Sequence, residues 1–434
     1  MSWINKILKG DRVIWVVMII LGIISLLAVY SATSTSANSS LRVYDEQVLI
    51  KHAATLLGGF LMMFLASRID YRHFSRFIEL ILMLCFFLLI FTYFFGEHLN
   101  GASRSIMGFQ PSELAKIFLI TYLAKYIVIW NTRDYKFKDL IIPIFLPILL
   151  IVAPIFPQNL STAAMLFVVC IVMLFIGQIK FGYIMALVGI VVLGMGLYIL
   201  TDDMVATVRQ HRYEKVVTEA ERHPENLALQ ERAKKKPRMS RVSTWKGRIE
   251  AVRQEDQAQA NDTANANIPL QITDSNRQKM HAKIAIARGG LFGKGSGKST
   301  QRNFLPLPFS DCIYAIIIEE YGLVGGAFVM LLYIILLTRA ARIMKKRPLS
   351  FGAMMSFGIA FIIIMQAMIN MGVSTGLLPV TGQQLPFISK GGSSMLMTGF
   401  AIGMILSVTR SVEETENEKL RMENEEETEV VNEE

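Results

Sequence analysis

Cysteine is scarce in this chain. Only Cys85, Cys170 and Cys312 occur, each inside an apolar run and none with a close partner. That excludes a disulfide framework. With the six histidines scattered, no metal-ligand spacing emerges either. Charge is scarce as well: charged residues make up 18% of the chain against 53% hydrophobic, and the mean hydropathy is +0.42. This balance excludes an ordinary soluble protein and fits a multi-pass membrane protein.

The hydrophobic residues are gathered into runs. A bilayer span needs about 20 apolar residues. Segments 13–30, 48–66, 78–95, 113–130, 140–156, 160–176, 181–200, 312–337, 351–371 and 393–410 meet or approach that length. The first is too long for the core of a signal peptide and is read as an uncleaved span. The fifth holds Pro143, Pro147 and Pro154, so a kink is expected there. The fold class is therefore an all-α integral membrane protein of about ten helices, with a large loop between the seventh and eighth.

The few charges are parcelled into loops and ends. Lys6, Lys9 and Arg12 precede the first span; Arg68, Arg72 and Arg76, then Arg133, Lys136 and Lys138, and Arg339 to Arg347 mark further loops on the same side. The basic-residue rule makes that side cytoplasmic and puts both termini there. Residues 1–410 form one membrane domain, with 201–310 as its large extracytoplasmic loop. The loop holds 20 Lys/Arg against 12 Asp/Glu. Long loops escape the rule because they translocate largely regardless of charge. Within it, 204–236 and 275–288 read as helical, 242–256 as amphipathic and 257–274 as a flexible turn. This basic surface is either a solvated cap or a surface facing anionic headgroups or a diphosphate. The charged insertion 209–240 has no assigned role. The tail 411–434, with eleven Glu against one Lys and one Arg, reads as disordered and cytoplasmic.

Three stretches carry chemistry. In the first, a Gly- and Lys-rich loop (residues 285–304) leads through Phe309-Ser310 to Asp311, at the mouth of the eighth span. An acid at a membrane boundary is a functional candidate, although a helix N-cap would use the same residue. The GSGKST run at 295–300 lacks the Gly that a nucleotide phosphate loop needs, since Phe292 stands there. Its glycines and lysines can still hold a phosphate. In the second stretch, Gln110-Pro111-Ser112-Glu113 opens the fourth span, and Glu113 and Lys116 share a helix face, as a structural salt bridge or as catalytic groups. In the third, residues 376–396 hold Pro379, Pro386, Gly391 and Gly392, which break any regular helix. Such backbone is tolerated at membrane depth only when buried in protein or lining a cavity.

Together these stretches resemble the FtsW/RodA (SEDS) family of shape, elongation, division and sporulation proteins. ISKGGSS at 388–394 is similar to a family Ser-x-Gly-Gly-Ser signature, FQPSELAK at 109–116 to its Gln-Pro-Ser-Glu motif, and the Gly-rich loop with Asp311 and Glu319-Glu320 to its loop and Gly-Glu-Glu. The likeness covers nearly the whole chain. It departs at Phe309-Ser310, where the family often has His-Thr, at Asn159, where it often has Asp, and at Lys390, where it often has Tyr.

The resemblance implies a peptidoglycan glycosyltransferase of the bacterial cytoplasmic membrane. Its substrate would be lipid II, the lipid-linked disaccharide. Its partners would be a class B penicillin-binding transpeptidase and other divisome or elongasome membrane proteins, with no nucleic acid. It implies Asp311 as the catalytic base. Arg104, Lys294, Lys298, Arg302 and Ser393 become candidates for substrate contact, and Gln110, Glu113, Lys116, Gly391 and Gly392 for shaping the cavity. No cofactor is evident; Mg or Mn is a candidate to share the phosphate work. The division branch fits better than the elongation branch. A lipid II flippase and a non-catalytic scaffold are the rivals from other classes.

Overall fold

A computed structural model describes residues 9–33, 39–99, 102–105, 108–222, 226, 242, 247, 277–305 and 309–433, with some of these as backbone alone. The chain forms two compact units, Met1–Lys180 with Arg277–Glu434, and Phe181–Asn276. In the first, α1 (Arg12–Thr33), α2 (Ser39–Arg68) and α3 (Tyr71–Phe95) lead to a small hairpin, β1 (Glu97–Leu99) and β2 (Ala102–Ser105). Helix α4 (Pro111–Asn131) follows, then α5 (Phe137–Leu140), α6 (Leu146–Gln158) and α7 (Leu160–Ile176). After the second unit come α9 (Arg277–Gly289), α10 (Ile313–Lys346), α11 (Phe351–Ser374) and α12 (Gly392–Glu433).

All ten segments read as spans are helical. Eight helices among the described residues are long and apolar enough to cross a membrane. The other two are α7, at 17 residues, and α4, which carries Glu113, Lys116 and Lys125. The proline-rich fifth segment contains a π-helical turn, Ile141–Phe145, around Pro143. Leu57, Leu61, Leu80, Phe87 and Phe94 are exposed, as expected where the solvent is lipid. The chain is a multi-pass membrane protein.

The helices of the first unit form a bundle with two ends. At one end Arg339 ion-pairs with Asp11, whose N–H donates to Thr409, and Arg410 donates to the carbonyls of Ser67 and Arg68. The basic loops lie at this end. The other end gathers the finish of α1, the starts of α4, α10 and α12, and the irregular segments 289–305, 309–312 and 375–391. Helices α2 and α12 come closest together, because Gly399 and Gly403 form a small-residue stripe: a Cβ at Gly399 would lie 2.1 Å from the Gly59 carbonyl. Backbones that approach so closely gain van der Waals contact, the main attraction between helices in lipid.

In the second unit, α8 (Phe181–Arg222) runs through the expected loop boundary without a break. Its apolar half continues into a charged half that has neither Pro nor Gly. Asp202 accepts from the Val242 N–H at 3.1 Å. The expected pieces 242–256 and 257–274 lie outside the described residues except at 242 and 247. The expected helix near 275–288 is α9. The acidic stretch, expected to be disordered, continues α12 as helix to Glu433; it is rich in Glu and has no helix-breaking residue after 411.

Candidate functional site

The site begins with a fault in α10. Gly322 sits at φ +72° and interrupts the helix. In an unbroken helix the Leu323 and Val324 N–H groups would donate to the carbonyls of Glu319 and Glu320. Instead they donate to Gly290 and Leu291, and the freed carbonyls accept from Lys294 and Gly295. The Gly-rich loop is thus spliced into the helix ladder, one of the recognised causes of a kink. Glycine is required on both sides. A Cβ at Gly322 would lie 2.1 Å from the Leu291 oxygen, and one at Gly293 2.1 Å from the Glu320 oxygen.

The splice brings the loop's donors to two acids inside α10. Glu319 is 0% exposed and Glu320 1%. Glu319 accepts from Lys294 Nζ at 2.8 Å, Ser299 Oγ at 2.5 Å, Thr300 N–H at 3.1 Å and Oγ1 at 2.9 Å, and Gln301 N–H at 3.2 Å. Glu320 accepts from Ser31 Oγ and from the Ser299 N–H. Arg302 donates to the carbonyls of Ser31 and Gly297. The GSGKST run therefore does hold an anion, and that anion is the protein's own carboxylate. Lys298 stays exposed.

Asp311 lies in the turn before α10, partly buried. The N-cap position falls on Cys312, which makes no side-chain cap bond, so Asp311 precedes the cap. Burial pushes the Cys312 thiol up to about 11. The Asp311 carboxylate accepts from Ser310 Oγ at 2.9 Å. The main chain around it is fixed from two directions. From α11, Asn370 donates to the Asp311 carbonyl at 3.0 Å, and Ser374 lies at 3.5 Å. From the irregular segment, Ser389 donates to the Ser310 carbonyl at 2.7 Å and the Lys390 N–H to the Phe309 carbonyl at 2.9 Å. Lys390 Nζ lies 4.7 Å from the Phe309 ring centroid. Burial and the neighbouring charge of Lys51 hold Lys390 below the usual lysine range.

A polar stripe on α11 joins these pieces to the second motif. Gln366, Asn370 and Ser374 are spaced by four and share one face. Lys116 donates to Gln366 at 3.0 Å and ion-pairs with Glu113 at 2.8 Å. Glu113 accepts from Ser394 at 3.2 Å, and the Gln110 N–H donates to Ser393 Oγ at 3.2 Å. Gln366 and Asn370 donate to the carbonyls of Gln384 and Gln383, and Gln383 donates to Thr162 at 2.7 Å. The Gln384 side chain fills the space a Cβ at Gly391 would take, while Gly392 faces open space.

The structure therefore gathers Asp311, Gln110, Glu113, Lys116, Gly391, Gly392 and Ser393 at one end of the bundle. Glu113 and Lys116 reach Asp311 through α11 rather than directly. Lys294 and Arg302 are engaged by Glu319 and Ser31. Arg104 lies in β2, next to α4 in the chain, and only its backbone is described. The sequence reading missed the α11 stripe and the part played by Glu319 and Glu320. The stripe had a signal, three polar residues at helical spacing in an apolar span; the acids had theirs in the likeness of Glu319-Glu320 to the family's Gly-Glu-Glu, which did not say what they bind. Among the described residues no group of three or more His, Cys, Asp or Glu is placed to hold a metal ion.

Comparison with known proteins agrees along the chain. The model of the FTSW_RODA_SPOVE cell cycle protein family matches residues 11–228 and 259–414. Stage V sporulation protein E of Bacillus subtilis is 30% identical over 419 residues, covering 94% of this chain and 98% of that protein. A probable peptidoglycan glycosyltransferase FtsW of Geobacter sulfurreducens is 30% identical over 415 residues, covering 94% and 96%. Among solved structures, a peptidoglycan synthase complex contains a chain with TM-score 0.62 at 21% identity, covering 93% of this chain and 98% of that one. The rod shape determining protein RodA of Thermus thermophilus gives TM-score 0.59 at 21% identity, covering 94% and 98%. The chain belongs to the FtsW/RodA/SpoVE family of cell cycle proteins.

Proposed function

We propose that this protein is a peptidoglycan glycosyltransferase that polymerises lipid II at the outer face of the bacterial cytoplasmic membrane, during septal wall synthesis. The observation that carries it is the fixed main chain at Asp311, to which α11 and segment 385–390 both bond, in a chain whose relatives are named peptidoglycan glycosyltransferases. The basic loops at the opposite end support an outer position for the site and cytoplasmic termini. A sugar hydroxyl attacks the anomeric carbon of a lipid-linked sugar. Its proton passes to the Asp311 carboxylate, the new glycosidic bond forms, and the bond to the lipid diphosphate breaks. Cations near the leaving phosphates stabilise their charge. Lys298 and Arg104 suit that task; Lys294 and Arg302 do so only by leaving their present partners. Ser393 and Gly392 line the approach. A class B transpeptidase would cross-link the product.

The test is to purify the protein with its transpeptidase, supply lipid II and resolve the glycan chains. Wild type makes polymer and Asp311→Ala makes none. Undiminished polymer from that variant would discard Asp311 as the base. Lipid II crossing the bilayer without polymer would make the protein a flippase. Growth sustained by Asp311→Asn would make it a scaffold.

A further inference from the structure

A second charged group lies on the loop that bonds to the Phe309 and Ser310 carbonyls and takes no part in the chemistry above. Lys390 is half-buried, with its ammonium against the Phe309 ring and its N–H on the Phe309 carbonyl. Phe309 is two residues from Asp311. Lys390 is pinned from the other side by a buried pair. Ser25 Oγ donates to the Ile388 carbonyl at 2.8 Å and lies 2.8 Å from His52 Nε2. Ser25 has one proton, and the Ile388 carbonyl takes it. His52 Nε2 must therefore carry a hydrogen, and Nδ1 is left as a bare acceptor, with no partner among the described residues. A neutral histidine, rather than an acid, thus fixes the loop, and Lys51, the residue before it on α2, is exposed.

The electrostatics of this corner are one-sided. Lys51 precedes His52 on α2, and the His52–Ser25–Ile388 bridge brings that turn of α2 to the loop that carries Lys390. Among the described residues neither lysine has a carboxylate partner. Two residues beyond Lys390, α12 begins at Gly392, where a Cβ would meet nothing within 4 Å. The start of a helix carries a partial positive charge that adds to the field. Two ammonium groups at one corner, neither paired with a described carboxylate, favour a polyvalent anion.

We propose that Lys390 and Lys51 form an anion subsite for the diphosphate of a polyprenyl-linked substrate. The chemistry is a phosphate group at a lipid surface. A phospholipid headgroup shares it, but a diphosphate carries the charge that two lysines match. The proposal rests on the polymerase reading for its substrate, and places the diphosphate on the α2 side of Asp311.

The experiment measures equilibrium binding to the full-length protein in neutral detergent micelles. The probes are undecaprenyl diphosphate, undecaprenyl monophosphate, undecaprenol and phosphatidylglycerol. Wild type is expected to prefer the diphosphate. Lys390→Met and Lys51→Met should each weaken it about tenfold, as expected for one charge-assisted contact. Lys390→Arg should stay within about twofold, since it keeps the charge. Unchanged binding in both Met variants overturns the proposal. So does equal binding of phosphatidylglycerol with the same lysine dependence, which would make this a headgroup contact. If Lys390→Met does not fold, Lys51→Met decides, since Lys51 is exposed. Polymerisation is scored separately. Lysine-dependent diphosphate binding without polymer from wild type would sink the polymerase reading and keep the subsite. Polymer made by Lys390→Met with unchanged KM for lipid II would do the reverse.

Discussion

The Glu113–Lys116 pair allows architecture to be separated from chemistry. Lys116 is 3% exposed and Glu113 8%, and their charged atoms lie 2.8 Å apart. Lys116→Met removes one charge and its bond to Gln366, leaving Glu113 with only the Ser394 hydroxyl among its described side-chain partners. Breaking a buried pair by removing one partner costs about 3–5 kcal/mol, because the remaining charge is desolvated and unmatched. The unfolding equilibrium should shift by about two to four powers of ten. Replacing both, with Glu113→Gln and Lys116→Met, removes the stranded charge and should bring stability back to within about 1–2 kcal/mol of wild type. The assay is reversible unfolding in mixed micelles on both single variants and the double, with lipid II polymerisation measured in parallel. If the double variant loses as much as the two singles added together, the pair is not coupled and the reasoning fails. If stability returns and polymerisation does not, the charges act on the substrate and the pair is more than a brace.

Other perturbations test neighbouring parts. Asn370→Leu removes the donor to both Asp311 and Gln383; it should cost about 1–3 kcal/mol, the penalty for stranding buried acceptors, and lower polymerisation kcat more than it raises KM. Glu319→Gln turns an amide toward the donors of residues 294–301 and should loosen the loop, read as faster limited proteolysis between 290 and 305 and a stability loss of about 3 kcal/mol. The three cysteines are buried, and Cys312 has its thiol pushed up to about 11, so wild type should resist maleimide. Lys298→Cys should then label in intact cells with a membrane-impermeant maleimide; labelling from the cytoplasmic side alone would put the site on the wrong face.

Much of this was legible in the chain, for identifiable reasons. Apolar runs announce helices because lipid admits few other structures, and each of the ten runs is helical. The convergence of 109–116, 309–311 and 388–394 was legible as well, since the expected spans put all three at one end. The end of the seventh apolar run was misleading: hydropathy falls at Asp202, but nothing in the next twenty residues stops a helix, so α8 carries on. The Gly-Lys loop misled for a different reason. Main-chain N–H groups, a lysine and hydroxyls suit a phosphate and a carboxylate equally well. Only the spatial return of Glu319 decides between them, and the loop's own sequence does not encode that return.

The α11 stripe explains how the main chain at Asp311 is fixed. Segments 290–305, 309–312 and 375–391 are irregular backbone at the end of a membrane bundle, and their N–H and C=O groups need partners. Gln366, Asn370 and Ser389 supply several, and each bonds to a carbonyl of one segment or the other. Asp311 is thus located through its own carbonyl and those of Phe309 and Ser310, besides its carboxylate's bond from Ser310. Its side chain can change while these anchors remain. Asp311→Asn keeps the side chain's shape and an oxygen that can accept from Ser310, and should therefore unfold within about 1 kcal/mol of wild type, while its polymerisation is lost. A large stability loss in that variant would show that the carboxylate itself holds the turn together, and a group needed for that purpose would be poorly suited to accept a proton in every cycle.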